Sequence, residues 1–149
     1  VPAPPETPRA VLGTSHGPRP TYRVGESLTL EVQPTQDAYL YCYYQDAEGT
    51  VARIFPNRVQ PDAFVHGNTL IRVPPSNGGF DIRFDKAGGH EVVACFAAGS
   101  EIGLKLPNTL KQQDLTPLPV RGLDEVAAQF RTLGGARVDD ARLVIEVTP

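Results

Sequence analysis

The chain has 149 residues, of which 40% are hydrophobic and 21% charged, with a formal net charge of -3. That length suits one domain able to bury roughly 68 to 70% of its unfolded surface without help from a metal or many disulfides. The mild acidic balance, with no run of like charges, excludes the electrostatic footprint of a nucleic-acid binder, and no stretch approaches the ~20 apolar residues of a membrane span.

The first twenty residues, Val1 to Pro20, are rich in proline and lack apolar periodicity, which predicts a solvated tether, with Ala10 to Leu12 as a short edge strand within it. The chain begins at Val1 and contains no methionine. The natural start is therefore expected upstream, and a lost signal peptide or lipoprotein leader fits that expectation.

From residue 21 onward, short apolar or alternating runs are closed by Gly, Pro, Asn or Asp, the rhythm of strands and turns in an antiparallel sheet. Leu28, Leu30 and Val32 share one face of an alternating run, an Asp-Ala-Glu-Gly turn closes at Gly49, and Pro56 ends a strand because it has no N–H for the ladder. Strands are predicted near 22 to 24, 28 to 33, 38 to 45, 51 to 55, 69 to 73, 80 to 84 and 90 to 98. Seven short strands at this spacing predict a β-sandwich.

Four blocks in this region carry a family pattern: Tyr22, Val24, Gly25 and Glu26; then Tyr39 to Tyr41 with Asp46 and Gly49; then Phe55 to Asn57; then Gly67, Leu70, Ile71 and Pro74. In that order, over roughly residues 21 to 99, they resemble the bacterial family catalogued as domain of unknown function 4384. The resemblance implies a small sandwich-like β module found beside many partner domains in bacterial, often envelope-associated, proteins. It implies no catalytic residues.

The C-terminal third changes period. Leu123, Val126, Ala127, Phe130 and Leu133 form one stripe of an amphipathic helix, with Asp124 and Glu125 near its positive end and Gly134 as a C-cap. Arg142 to Val147 alternates again as a final strand. The expected fold is thus mainly β, an immunoglobulin-like antiparallel β-sandwich with one C-terminal amphipathic helix and a final strand, residues 21 to 149 forming a single domain. Residues 100 to 119 are expected to include a long surface loop.

The strand at Tyr39 to Tyr44 is apolar on both faces, with Leu40, Cys42 and Tyr44 on one side and Tyr39, Tyr41 and Tyr43 on the other. The second face needs a cover, either the C-terminal helix or an external partner. Because tyrosine is enriched at interfaces, Tyr39, Tyr41 and Tyr43 with the adjoining Phe55 and Asn57 are the candidate partner-binding residues. Cys42 and Cys95 lie on core strands with inward parity, a placement similar to the bridge across an immunoglobulin-like sandwich. Two buried free thiols are the alternative.

Other reactive side chains offer less. His16, His66 and His90 are too few and too scattered for a zinc site, Asp81 and Asp85 read as solvated charges beside a turn, and Ser15 next to His16 is adjacency without a triad. No catalytic residue, metal or cofactor is expected. Two functions remain: a noncatalytic binding or adaptor module of the bacterial cell envelope, periplasmic or at the cell surface, with a protein partner and a role accessory to secretion or a surface assembly; or an intracellular regulatory or sensor module excised from a larger signalling or peptidase-like protein.

Overall fold

A computed structural model describes residues 8–14, 17, 20–57, 59–75, 82–102, 122–134 and 138–149. Among the described residues there are nine strands and one helix: β1 (Ala10–Thr14), β2 (Thr21–Arg23), β3 (Leu30–Pro34), β4 (Ala38–Gln45), β5 (Val51–Phe55), β6 (Phe64–Val65), β7 (Ile71–Val73), β8 (His90–Ala98), α1 (Leu123–Gly134) and β9 (Val138–Thr148). They build two sheets. The smaller has the order β1-β3-β7 and the larger β2-β9-β8-β4-β5, with β6 added beside β4.

All pairings are antiparallel except that of β2 with β9, which runs parallel from Thr21 opposite Glu146 to Arg23 opposite Thr148. The fold is mainly β and sandwich-like, with the helix and the final strand where the periodicity put them. Within the segment expected to be a tether, β1 pairs with β3 over five positions, Ala10 opposite Pro34 through Thr14 opposite Leu30. Its prolines flank the strand rather than interrupt it, so no ladder donor is lost. Of the expected strand at 80 to 84, residues 80 and 81 lie outside the described residues, and 82 to 84 contribute a single bridge, Ser27 with Arg83, flanked by backbone bonds from Leu28 to Ile82, from Phe84 to Glu26 and from Gly25 to Phe84.

Between the sheets lies the first core. Leu28, Leu30 and Val32 of the smaller sheet side meet Leu40, Cys42, Val93, Cys95, Leu143 and Ile145 of the larger, while Tyr22 and Phe84 pack ring to ring at 4.8 Å near one end. The opposite face of the larger sheet carries the second core. There Tyr41, Tyr43, Ala94, Phe96 and Ala98 lie under Leu123, Val126, Ala127 and Phe130 of α1. β4 and β8 are therefore buried on both faces, which is why their sequences run apolar without alternation.

The helix is fixed at its start by two side chains from the sheet. Gln45 Oε1 accepts the Leu123 N–H at 2.9 Å, satisfying a donor that a first helical turn leaves orphaned. Arg142 on β9 donates to Asp124 at 2.9 Å and to Asp140 at 3.1 Å. These contacts hold its own charge more firmly, with the Asp140 bond the leading cause.

Candidate functional site

The tyrosine face is covered by the protein itself. Tyr43 is fully buried and Tyr41 is 3% exposed, both against Phe130, whose ring stacks on Phe96 with centroids 4.4 Å apart. Burial drives the Tyr43 hydroxyl far above its usual pKa, opposed in part by the nearby Arg53 charge. The Tyr41 hydroxyl donates to Glu101 at 2.5 Å. Tyr39 is half-buried, edge-on to Phe64 at 5.4 Å. The intramolecular cover is thus the helix, and Tyr41 and Tyr43 offer no free docking surface.

The Phe55–Asn57 corner is internal too. Phe55 is in the first core, the Phe55–Pro56 peptide is cis, and Asn57 is buried. Asn57 Nδ2 donates to the Ile54 carbonyl and to Gln60 Oε1, both at 2.9 Å, while its Oδ1 accepts from Val59 N–H at 3.0 Å and Gln60 N–H at 2.7 Å. One amide thereby closes the whole turn after β5. This corner, expected to adjoin a partner surface, is a structural lock.

Cys42 and Cys95 form a disulfide with Cα atoms 4.1 Å apart. They are directly opposed in the antiparallel β4–β8 ladder, so the bridge ties two neighbouring strands of one sheet rather than crossing the sandwich as expected. Inward parity alone does not separate these cases, because both leave each thiol facing the core.

The remaining family motifs are spent on turns as well. Asp46 Oδ1 accepts from Glu48 and Thr50 N–H at 2.9 Å each, and Gly49 takes φ of 88°, a left-handed conformation that glycine adopts without a Cβ penalty. Gly67 donates to Asp37 at 2.8 Å and lies so close to Gln36 that a Cβ would meet its Cα at 2.6 Å. Glu26 accepts from the Arg23 N–H at 2.7 Å. A family model described as domain of unknown function (DUF4384) matches residues 21–101, more than half of the chain.

The chain belongs to this family. No curated protein and no solved structure matches it. The family's pattern in this chain therefore specifies a scaffold: its polar residues close turns, its aromatic residues fill cores.

Other sequence candidates stay apart. His66 lies 3.8 Å from Asp37 on the surface, His90 is exposed at the start of β8, and Asp85 is exposed. Ser15, His16 and Asp81 lie outside the described residues, as do residues 1–7 of the expected tether and 103–119 of the segment expected to include a loop. Among the described residues, no three His, Cys, Asp or Glu side chains converge as a metal site, and no helix is long and apolar enough to cross a membrane.

One feature escaped the sequence reading. At the open end of the sandwich, beside the Asp46 to Gly49 turn, a cleft of about 350 Å³ is lined by Tyr44, Asp46, Glu48, Arg83, Lys86 and Glu91, together with Ala47 and Asp85. Glu91 is 4% exposed and shares the inward parity of Val93, Cys95 and Ala97. Burial pushes its carboxyl above the usual range. Among the described residues no hydrogen bond or ion pair reaches that carboxylate. Lys86, by contrast, pairs with Glu48, which lowers the Glu48 carboxyl and raises the Lys86 ammonium. The available signal was parity: a glutamate in an inward position of an otherwise apolar strand.

Proposed function

We propose that the protein is a noncatalytic binding or adaptor module of the bacterial cell envelope, periplasmic or at the cell surface, that engages a protein partner in a secretion or surface assembly. The observation that carries this reading is the Cys42–Cys95 disulfide at the centre of the larger sheet. Structural disulfides persist in oxidising compartments and are rare where glutathione and thioredoxin keep thiols reduced, which disfavours the intracellular regulatory alternative. The binding role is supported by how the family residues are used: Asp46, Asn57, Glu26 and Gly67 are all committed to turn geometry, leaving the scaffold to present its rims and loops.

The test is fractionation of the source bacterium with thiol trapping. Denatured protein from the envelope fraction is treated with a polyethylene-glycol maleimide before and after reductant. The expected result is no gel shift until reductant is added. Recovery with cytoplasmic markers and full labelling without reductant would overturn the compartment and favour the intracellular module.

A further inference from the structure

We propose that the cleft at the open end of the sandwich receives a protonated amine or guanidinium on an alkyl stem, with Glu91 as its buried counter-charge. This deepens the reading of the chain as a binding module and does not depend on its cellular compartment.

A carboxylate on the inward face of a core strand is costly to ionise without a partner, because water no longer solvates it and no opposite charge replaces that solvation. Glu91 is in that position, 4% exposed, with Ile145 across the ladder and Val93 two residues along the same face. Its side chain lines the cleft. A cation entering there gains an acceptor that nothing else in the described protein occupies.

The walls fit the same chemistry. Asp46, Glu48 and Asp85 join Glu91 against Arg83 and Lys86, so the lining carries an excess of negative charge, and Lys86 is already neutralised by Glu48. Converging carboxylates raise the local concentration of cations. Tyr44, half-buried against the inter-sheet core, supplies an aromatic wall for an alkyl stem or a cation. The Asp46 turn is rigid, pinned by two side-chain bonds and by the Gly49 N–H to the Asp46 carbonyl at 3.0 Å. A cleft of about 350 Å³ suits one small head group and its stem.

Two sources share this chemistry: a free alkylamine or alkylguanidine, and a lysine or arginine side chain of a partner polypeptide. The experiment is NMR titration of the intact, oxidised chain with agmatine, with pentaglycine-length peptides carrying a central Lys or Arg, and with n-butanol and an acetyl-lysine peptide as neutral controls. The expected result is saturable shifts confined to residues 44–48, 83–86 and 91 with the cationic probes. Glu91→Gln, which keeps shape and removes charge, should weaken binding by at least about tenfold, the scale of losing a charged hydrogen bond. Asp124→Asn, on the helix that covers the opposite face of the larger sheet, should leave it unchanged.

Stronger binding of the peptides points to a partner side chain, and stronger binding of agmatine to a free amine. The proposal fails if the cationic probes give no saturable shifts, if the neutral controls bind equally, or if Glu91→Gln binds as tightly as the parent. The cationic and neutral comparison on the unmodified chain decides the matter even if Glu91→Gln does not fold. None of these outcomes bears on thiol trapping, so failure here leaves the compartment standing.

Discussion

On its inner face the larger sheet meets a second sheet, and Leu40, Cys42, Val93 and Cys95 share that core with Leu28, Leu30 and Val32. On its outer face it meets one helix, and the contact narrows to Tyr41, Tyr43 and Phe96 around Phe130. The inner cover is distributed over many aliphatic side chains and reinforced by a covalent tie. The outer cover is concentrated in one aromatic knot. A distributed interface tolerates the loss of any one methyl group better than an interface built on a single ring, because neighbouring side chains relax around a small void more readily than around a large one.

The largest expected effect therefore falls on the outer face. Phe130→Ala should cost ~3 to 5 kcal/mol, measured by urea unfolding, and should expose Tyr41 and Tyr43 to solvent quenchers. A loss below about 1 kcal/mol would mean the helix is held by its Gln45 and Arg142 anchors rather than by the aromatic knot. Ending the chain at Pro119 is a harsher change, since it removes β9 from between β2 and β8 as well as the helix. No folded product is expected from it.

On the inner side, replacing Cys42 and Cys95 together by Ala should cost roughly 4 kcal/mol if loop-closure entropy across the 53-residue separation governs the effect. Because the pair lies in one sheet, the variant should keep the β4–β8 register, and hydrogen exchange should rise evenly along both strands. Loss of the inter-sheet contacts alone, with β4 and β8 still protected, would show that the bridge supports the sandwich rather than the ladder.

Much of this arrangement was legible in the chain. The strands at 38 to 45, 51 to 55 and 90 to 98 end where predicted, since each is bounded by turn residues, and the helical stripe from Leu123 to Leu133 is the face that packs. The double-sided apolarity of Tyr39 to Tyr44 announced a second cover. It did not say that the cover was Phe130, because a helix stripe and a partner surface demand the same residues of the strand beneath them. The proline flanks of β1 pointed to a tether with only Ala10 to Leu12 as an edge strand, whereas the strand runs on to Thr14, and Ile82 and Phe84 alternate like a strand while the described residues 82 to 84 contribute one bridge. The corner at Asn57 joins the candidate partner residues in the sequence only because it adjoins the tyrosine strand, and the fold shows its amide turned inward on Ile54 and Gln60.

That corner sets the third expectation. Asn57→Ala removes four hydrogen bonds in a buried turn and leaves the Ile54 carbonyl without this donor, at a cost of about 1 to 3 kcal/mol by thermal or urea unfolding. Asn57→Asp keeps the Oδ1 acceptor for the Val59 and Gln60 N–H groups and loses the two donations, so it should recover part of the loss only if the acceptor side matters more. Equal destabilisation by both variants would place the weight on the donations to Ile54 and Gln60.

The smallest expected effect belongs to the Glu91 cleft. Burial raises the Glu91 carboxyl above its ordinary 4.5, so the folded chain holds this proton to a higher pH than the unfolded chain does. Below the ordinary value both states are protonated and the group contributes nothing to the pH dependence. As pH climbs through the ordinary value and on to the raised one, the unfolded state ionises freely while the folded state pays to follow, so stability declines across that window. The other groups around the cleft are Asp46, Glu48, Arg83, Asp85 and Lys86, with apolar Ile145 across the ladder. Among them the Glu48 carboxyl is lowered by Lys86, which places its contribution on the opposite side: present above the ordinary value and lost on acidification below it. The two effects are therefore separable by window. Glu91→Gln should abolish the decline that begins as pH rises through the ordinary carboxyl value while leaving the acid limb intact, read as urea midpoints across a pH series. A variant whose stability declines in parallel with the parent over the same interval would assign the slope to another carboxyl and leave the buried position of Glu91 without a titration signature.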